Sequence, residues 1–302
     1  MSQLTYLQSV VIGLLQGITE LFPVSSLGHS VLVPAWVGGS WAQLVSQESS
    51  PESPYLAFIV GLHVATALAL LALFWRDWVG IVGGFFSSLL HRRIETVYER
   101  MAWLIVVATV PVGLLGLLLE HALRTLFAKP LSAGIFLTFN GVLLLAGEAL
   151  RRRAPVREVA AAAHDQVGSA DELDVAMSRR VGLRDAAVIG TLQVGALLAG
   201  ISRSGITMVG GLLRGLSHEE AVRFSFLLAT PVILAAGVYK VPDLFGPLGN
   251  GIRGQVLAGS TAAFVAALAA AKFLQRWFRT RTLTPFAIYC LVAGLASVVK
   301  FA

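Results

Sequence analysis

Long apolar runs separated by short charged stretches dominate the chain. Six runs are continuous enough to predict membrane-crossing helices, at about residues 55–75, 101–119, 131–150, 224–239, 257–273 and 286–299. An α-helix rises about 1.5 Å per residue and needs about 20 apolar residues to cross the hydrocarbon, a length that these runs approach. Two further apolar segments, 7–36 and 186–216, are interrupted at mid-length by Pro, Gly, Ser and an ionisable residue. Neither can be one straight helix. Backbone at membrane depth must be satisfied inside protein or line a wet cavity, so both read as re-entrant helix–loop–helix hairpins.

Composition agrees with this pattern. Of 302 residues, 56% are hydrophobic and 13% charged, and the mean hydropathy is +0.76, too apolar for a soluble chain. A transmembrane barrel would show alternating ten-residue segments, which are missing. The one cysteine, Cys290, lies in an apolar run, so structural disulfides and cysteine-based zinc sites are excluded. The formal charge of +6 suggests no nucleic-acid partner, because the arginines cluster between apolar runs, where they set orientation. The opening MSQLTYLQSV lacks the basic region of a cleavable signal peptide, so the N-terminus is expected to be retained.

Counting Lys and Arg in the connections places 76–100, 151–184 and 275–283 in the cytoplasm and the poorer 120–130 and 241–255 outside. The first hairpin then starts and ends outside, the second inside, and the three spans after each run in opposite directions. The expected fold is therefore all-α and polytopic: six transmembrane helices plus two re-entrant hairpins in an inverted-topology repeat. One integral membrane domain, 1–302, comprises a first repeat at 1–150, a cytoplasmic loop at 151–184 and a second repeat at 185–302. A shift of 177 lays Ile12, Gly13, Leu15, Gln16, Leu21, Ser25 and Gly28 over Ile189, Gly190, Leu192, Gln193, Leu198, Ser202 and Gly205. The broken hairpins should meet near the bilayer interior, where repeat-built membrane proteins place their sites. The stretch 154–178, rich in Ala, Asp and Glu, reads as a solvated loop.

The first hairpin carries Gln16, Glu20, Ser25, Ser26 and His29. Gln16 and Glu20, four apart, share a helix face. A carboxylate in an apolar segment is costly unless paired or metal-bound, which marks Glu20 as functional. Pro23 ends the helix, and the turn that follows offers free donors. Ser26 and His29, three apart, are spaced for a hydroxyl–imidazole contact, with His29 as general base. The second hairpin breaks at Gly200-Ile201-Ser202-Arg203-Ser204-Gly205-Ile206-Thr207. Gly200 and Gly205 let backbone approach a ligand. The helix that follows aims its positive end into the loop, Arg203 supplies a fork for phosphate oxygens, and Ser202, Ser204 and Thr207 supply hydroxyls. Glu148 reads as an interfacial charge, and packing is the expected role of His63 and Asn140. Together the hairpins hold a phosphoryl-transfer inventory.

At these residues the chain resembles the undecaprenyl-diphosphatases of the bacitracin-resistance type. The resemblance rests on Gln16-Gly17-Ile18-Thr19-Glu20, on Phe22-Pro23-Val24-Ser25-Ser26-Leu27-Gly28-His29, on Gly200 through Thr207, and on Arg223-Phe224-Ser225-Phe226-Leu227-Leu228. It implies hydrolysis of undecaprenyl diphosphate to the monophosphate, on the outer face of the bacterial inner membrane, recycling the carrier of peptidoglycan precursors. By resemblance Glu20 is the acidic residue tied to a divalent metal ion, magnesium or calcium, with Gln16 as its partner. Ser26 and His29 are the hydroxyl and imidazole, and Arg203 is the diphosphate ligand. Partners are then a polyprenyl diphosphate and membrane lipids, and a homodimer is compatible. Three positions depart from the family pattern: Gln16 where many members have Glu, Ala199 where proline is usual, and Leu27 where Thr is frequent. The alternative reading is a secondary transporter or flippase for an anionic lipid or small anion, because inverted repeats and broken helices also build transporters.

Overall fold

The computed structural model describes residues 4–48, 54–127, 129–153, 170–240, 242–246 and 249–302. Among these residues the chain forms helices and no strand. In order they are α1 (Tyr6–Thr19), α2 (Ser26–Val37), α3 (Gly39–Glu48), α4 (Pro54–Leu73), α5 (Trp75–His91), α6 (Val97–Phe127) and α7 (Pro130–Arg153). There follow α8 (Ala170–Arg180), α9 (Leu183–Leu192), a 3₁₀ turn over Gln193–Leu197, α10 (Arg203–Leu213), α11 (His218–Lys240), α12 (Pro242–Phe245), α13 (Arg253–Trp277) and α14 (Thr284–Phe301).

Five helices are long and apolar enough to cross a membrane, within α6, α7, α11, α13 and α14. Counting the pair Ala57–Leu73 and Trp75–His91, bent by 88°, as one broken span makes six. The architecture is that of an all-α polytopic membrane protein. Its outer surface carries large apolar side chains such as Leu114, Leu118, Leu257, Val292 and Val299, the surface that lipid tails require.

Lipid is as apolar as leucine, so helices in a membrane associate through close packing rather than through expulsion of water. Small residues supply it here. A Cβ on Gly13 of α1 would collide with the carbonyl of Gly259 on α13, and one on Gly190 of α9 with the carbonyl of Ala108 on α6. Accordingly α1 lies along α13, α9 along α6, α7 along α14, and α4 against both α11 and α13. Phe58, Phe224, Phe226 and Phe278 fill the interior between them.

Two connections differ from expectation. Residues 76–91 of the connection 76–100, placed in the cytoplasm by its arginines, belong instead to α5. Asp77, Ile81, Gly84 and Ser88 fall on its buried face, while Val79, Val82, Phe86 and Leu90 are exposed. Flanking charge hid that helical period. The segment read as a solvated loop likewise contains most of α8, with Asp174, Met177 and Ser178 buried at i, i+3 and i+4. Residues 154–169 of that loop lie outside the described residues.

Candidate active site

Each broken segment stops where its sequence removes helix bonds. Glu20 caps the end of α1, Pro23 follows, and Ser25 takes a positive φ of 70° before α2 begins at Ser26. A non-glycine residue there costs about 1–3 kcal/mol and persists only where its surroundings hold it. What holds Ser25 is visible: its hydroxyl oxygen accepts from the N–H of Gly28 and from the N–H of Gly200 in the other segment, each at 3.2 Å.

The two segments meet at these tips. Gly200 has a φ of 116°, and a Cβ on Gly28 would stand 2.8 Å from the Gly200 Cα. Ser204 Oγ donates to the Phe22 carbonyl at 3.0 Å. Since that uses its proton, Ser202 must be the donor in the 2.9 Å Ser202–Ser204 contact, and the Ser202 oxygen accepts from Gly205 N–H as the N-cap of α10. Asn140, in the middle of α7 and fully buried, closes the junction: its amide donates to the Pro23 carbonyl at 3.0 Å and its oxygen accepts from Ser202 N–H at 2.9 Å.

Glu20 stands at the centre, 7% exposed. Arg203 donates through Nη2 to Oε1 at 2.5 Å. Oε2 gathers three groups: Gln16 Nε2 at 3.1 Å, Ser26 Oγ at 2.5 Å and His63 Nε2 at 3.4 Å. Arg203 Nη1 is buried and has no hydrogen-bond partner. A buried guanidinium nitrogen left unpaired beside the N-terminal end of a helix is costly unless an anion completes it.

The structure therefore unites Gln16, Glu20, Ser26 and Arg203 and corrects several details. Ser26 and His29 do not pair. At the first turn of α2 the Ser26 hydroxyl reaches back across the proline turn to Glu20. His29 donates from Nδ1 to the Ser25 carbonyl at 2.7 Å, and its Nε2 accepts from the Tyr289 hydroxyl of α14, also at 2.7 Å. Thr207 does not face the junction: it is fully buried, bonded to carbonyls of its own helix and to Ser225 Oγ at 2.7 Å. Ser25, Ser202 and Ser204 spend their hydroxyls joining the two tips. Conversely His63 and Asn140, read as packing residues, both belong to the site. The signal that could have found them was present, since a polar side chain in mid-span is a functional candidate by default. Glu148, read as interfacial, is 3% exposed and bonded to His218 at 2.9 Å, with the His218 ring stacked on Phe278.

With this geometry in hand, the comparison with known proteins is decisive. The profile of the family described as Bacitracin resistance protein BacA matches residues 9–296. The chain belongs to the BacA family. Over 302 residues it is 64% identical to an undecaprenyl-diphosphatase of Mycolicibacterium paratuberculosis and 64% identical to one of Mycobacterium avium, covering all of this chain and 99% of each relative. It is 55% identical to undecaprenyl-diphosphatase 2 of Frankia alni, again over all of this chain and 99% of that protein. Both breaks and their meeting point lie within the stretch matched by the BacA family.

Proposed function

We propose that this protein hydrolyses undecaprenyl diphosphate to undecaprenyl phosphate and inorganic phosphate, as its full-length relatives are named for doing. One observation carries the reading: Arg203 is tied by Nη2 to the carboxylate that holds a serine hydroxyl, and its buried Nη1 is left without a partner. That is an anion cradle with a nucleophile beside it.

In this reading the terminal phosphoryl group enters against Arg203 Nη1. Ser26 Oγ attacks the terminal phosphorus and passes its proton to Glu20 Oε2, on which it already lies. The bond from that phosphorus to the bridging oxygen breaks, and the lipid monophosphate leaves. Water then attacks the phosphoserine, releasing inorganic phosphate and restoring the hydroxyl. Glu20 replaces His29 as the proton acceptor, because both His29 nitrogens are engaged elsewhere; His29 acts by holding the turn. Arg203 and the positive end of α10 stabilise the charge that develops in a water-poor site.

Among the described residues no three His, Cys, Asp or Glu side chains cluster for a metal. Glu20 Oε2 already accepts from Gln16 and Ser26 and Oε1 from Arg203, so the residues gathered here do not fit a divalent ion.

The inverted repeat of 1–150 and 185–302, with two re-entrant hairpins, is supported by the packing. Gly13 and Gly190 are equivalent under the shift of 177, and each seats the first helix of one hairpin on a helix of the other half. The arginine distribution supports an outward-facing site in the bacterial inner membrane, serving recycling of the cell-wall lipid carrier.

The test is to incubate purified protein with a polyprenyl diphosphate, with and without chelator, and measure phosphate. Release that Ser26→Ala and Arg203→Ala abolish is expected. A phosphate yield equal to the protein-free control overturns the assignment.

A further inference from the structure

A cavity of about 410 Å³ opens where the last turn of α7 meets the connection between α13 and α14. The reaction makes no use of it. Its charged lining consists of Arg152 from α7 and Arg281 from the connection, and among the described residues no acidic side chain lines it. Both guanidinium groups have donors to spare. Arg152 Nε stands 3.9 Å from Glu148, too far for a hydrogen bond, and Glu148 is already held by His218 at 2.9 Å. Arg281 lies over the Trp277 ring, 5.9 Å from its centroid, and pairs with no carboxylate among the described residues. The lining also offers a hydroxyl: Thr282 Oγ1 donates to Thr284 Oγ1 at 3.0 Å, which leaves the Thr284 proton free.

The walls of the cavity run on into the apolar surface of the bundle. Trp277, which also lines it, donates from Nε1 to the Thr282 carbonyl at 3.4 Å and marks the level where amphipathic rings collect between water and hydrocarbon. One turn further into the membrane each helix shows lipid an apolar side chain. Phe273, four residues before Trp277 on α13, is 47% exposed, and Ile288, four after Thr284 on α14, is 53% exposed. A cationic, hydroxyl-bearing mouth followed by an apolar track complements a lipid with an anionic head. We infer that this cavity binds the phosphate head group of an acidic phospholipid, with its acyl chains along Phe273 and Ile288. Arginine forks match phosphodiester oxygens, and basic pockets between membrane helices take such head groups. Free phosphate has the same oxygens but nothing to lay on the track, and a choline head brings an ammonium that two arginines repel.

The experiment titrates purified full-length protein in detergent with phosphatidylglycerol or with phosphatidylcholine of the same chains, and counts bound lipids by native mass spectrometry. The first phosphatidylglycerol should bind at least about fivefold more tightly than phosphatidylcholine, a comparison that needs no variant. Arg152→Gln combined with Arg281→Gln should erase the preference. Arg92→Gln combined with Arg93→Gln, which removes two arginines from the exposed end of α5, should keep it. If the first double variant elutes abnormally, Arg281→Gln alone, at an exposed position, should still lose part of the preference. Equal affinity of the parent for the two lipids overturns the inference. So does an equal loss in both double variants, which would reduce the preference to general charge attraction. Displacement of the lipid by millimolar inorganic phosphate would make the cavity a phosphate site and overturn the lipid assignment.

Discussion

Arg223 and Arg203 both meet carboxylates inside the molecule, and they are opposite in kind. Arg223, on α11, is held between two acids: Nε and Nη2 donate to Asp174 of α8 at 2.8 and 3.1 Å, Nη2 also reaches Asp77 of α5 at 2.5 Å, and the guanidinium lies 5.3 Å from the Phe74 ring centroid. It meets two carboxylates, so the cluster has no appetite for another anion. Arg203 meets one carboxylate and keeps a buried nitrogen unpaired. Ion pairing alone therefore does not distinguish a structural arginine from a functional one; a single carboxylate partner and a buried nitrogen left unpaired do.

That contrast can be broken by experiment. Arg203→Ala should lower phosphate release by about 10³-fold, with Arg203→Lys rescuing poorly because an ammonium lacks the fork. Near-parental turnover in the alanine variant would sink the distinction. Arg223→Ala should act through the fold instead, removing the guanidinium that Asp77 and Asp174 share, at about 3–5 kcal/mol. Thermal melting in detergent should fall, and replacing Asp77, Asp174 and Arg223 together by apolar residues of similar size should restore much of it. An Arg223→Ala protein that melts normally yet is inactive would make that arginine functional as well. Asn140→Ala strands the Ser202 N–H and leaves the Pro23 carbonyl with the weak Cys290 thiol alone, a cost of about 1–3 kcal/mol for a buried group left unsatisfied. It should loosen the contact between the two tips, read as faster amide exchange at Ser202 and Gly200. Tyr289→Phe removes a single hydrogen bond to His29, about 0.5–1.5 kcal/mol, and should change phosphate release by less than about tenfold. A larger loss would return His29 to the chemistry.

How far the sequence could be read follows from the range over which each feature is encoded. Broken apolar segments announce themselves locally, through Pro23, Gly200 and their serine neighbours, so both breaks and most of the central residues were legible. Ser26 and His29 show where local reasoning misleads. Their spacing of three suggests contact, yet Ser25 takes the capping role and Ser26 turns back to Glu20. His63 and Asn140 escaped because their partners are 43 and 62 or more positions away, across helices whose pairing no local pattern specifies. Helices α5 and α8 were hidden by charge at their ends, although both have a clear buried face at helical spacing.

The seam between α1 and α13 has a consequence for how deep the chemistry lies. Gly13 and Gly17 let α1 touch the backbone of α13, which forbids the two helices from sliding past each other. Gln16 and Glu20 each follow one of these glycines by three residues, about 4.5 Å along the helix. The height of the carboxylate is thus measured off from a fixed clamp by helix pitch, like a mark on a ruler. A bilayer that thins or thickens around the protein changes what surrounds that mark, but not its distance from the clamp.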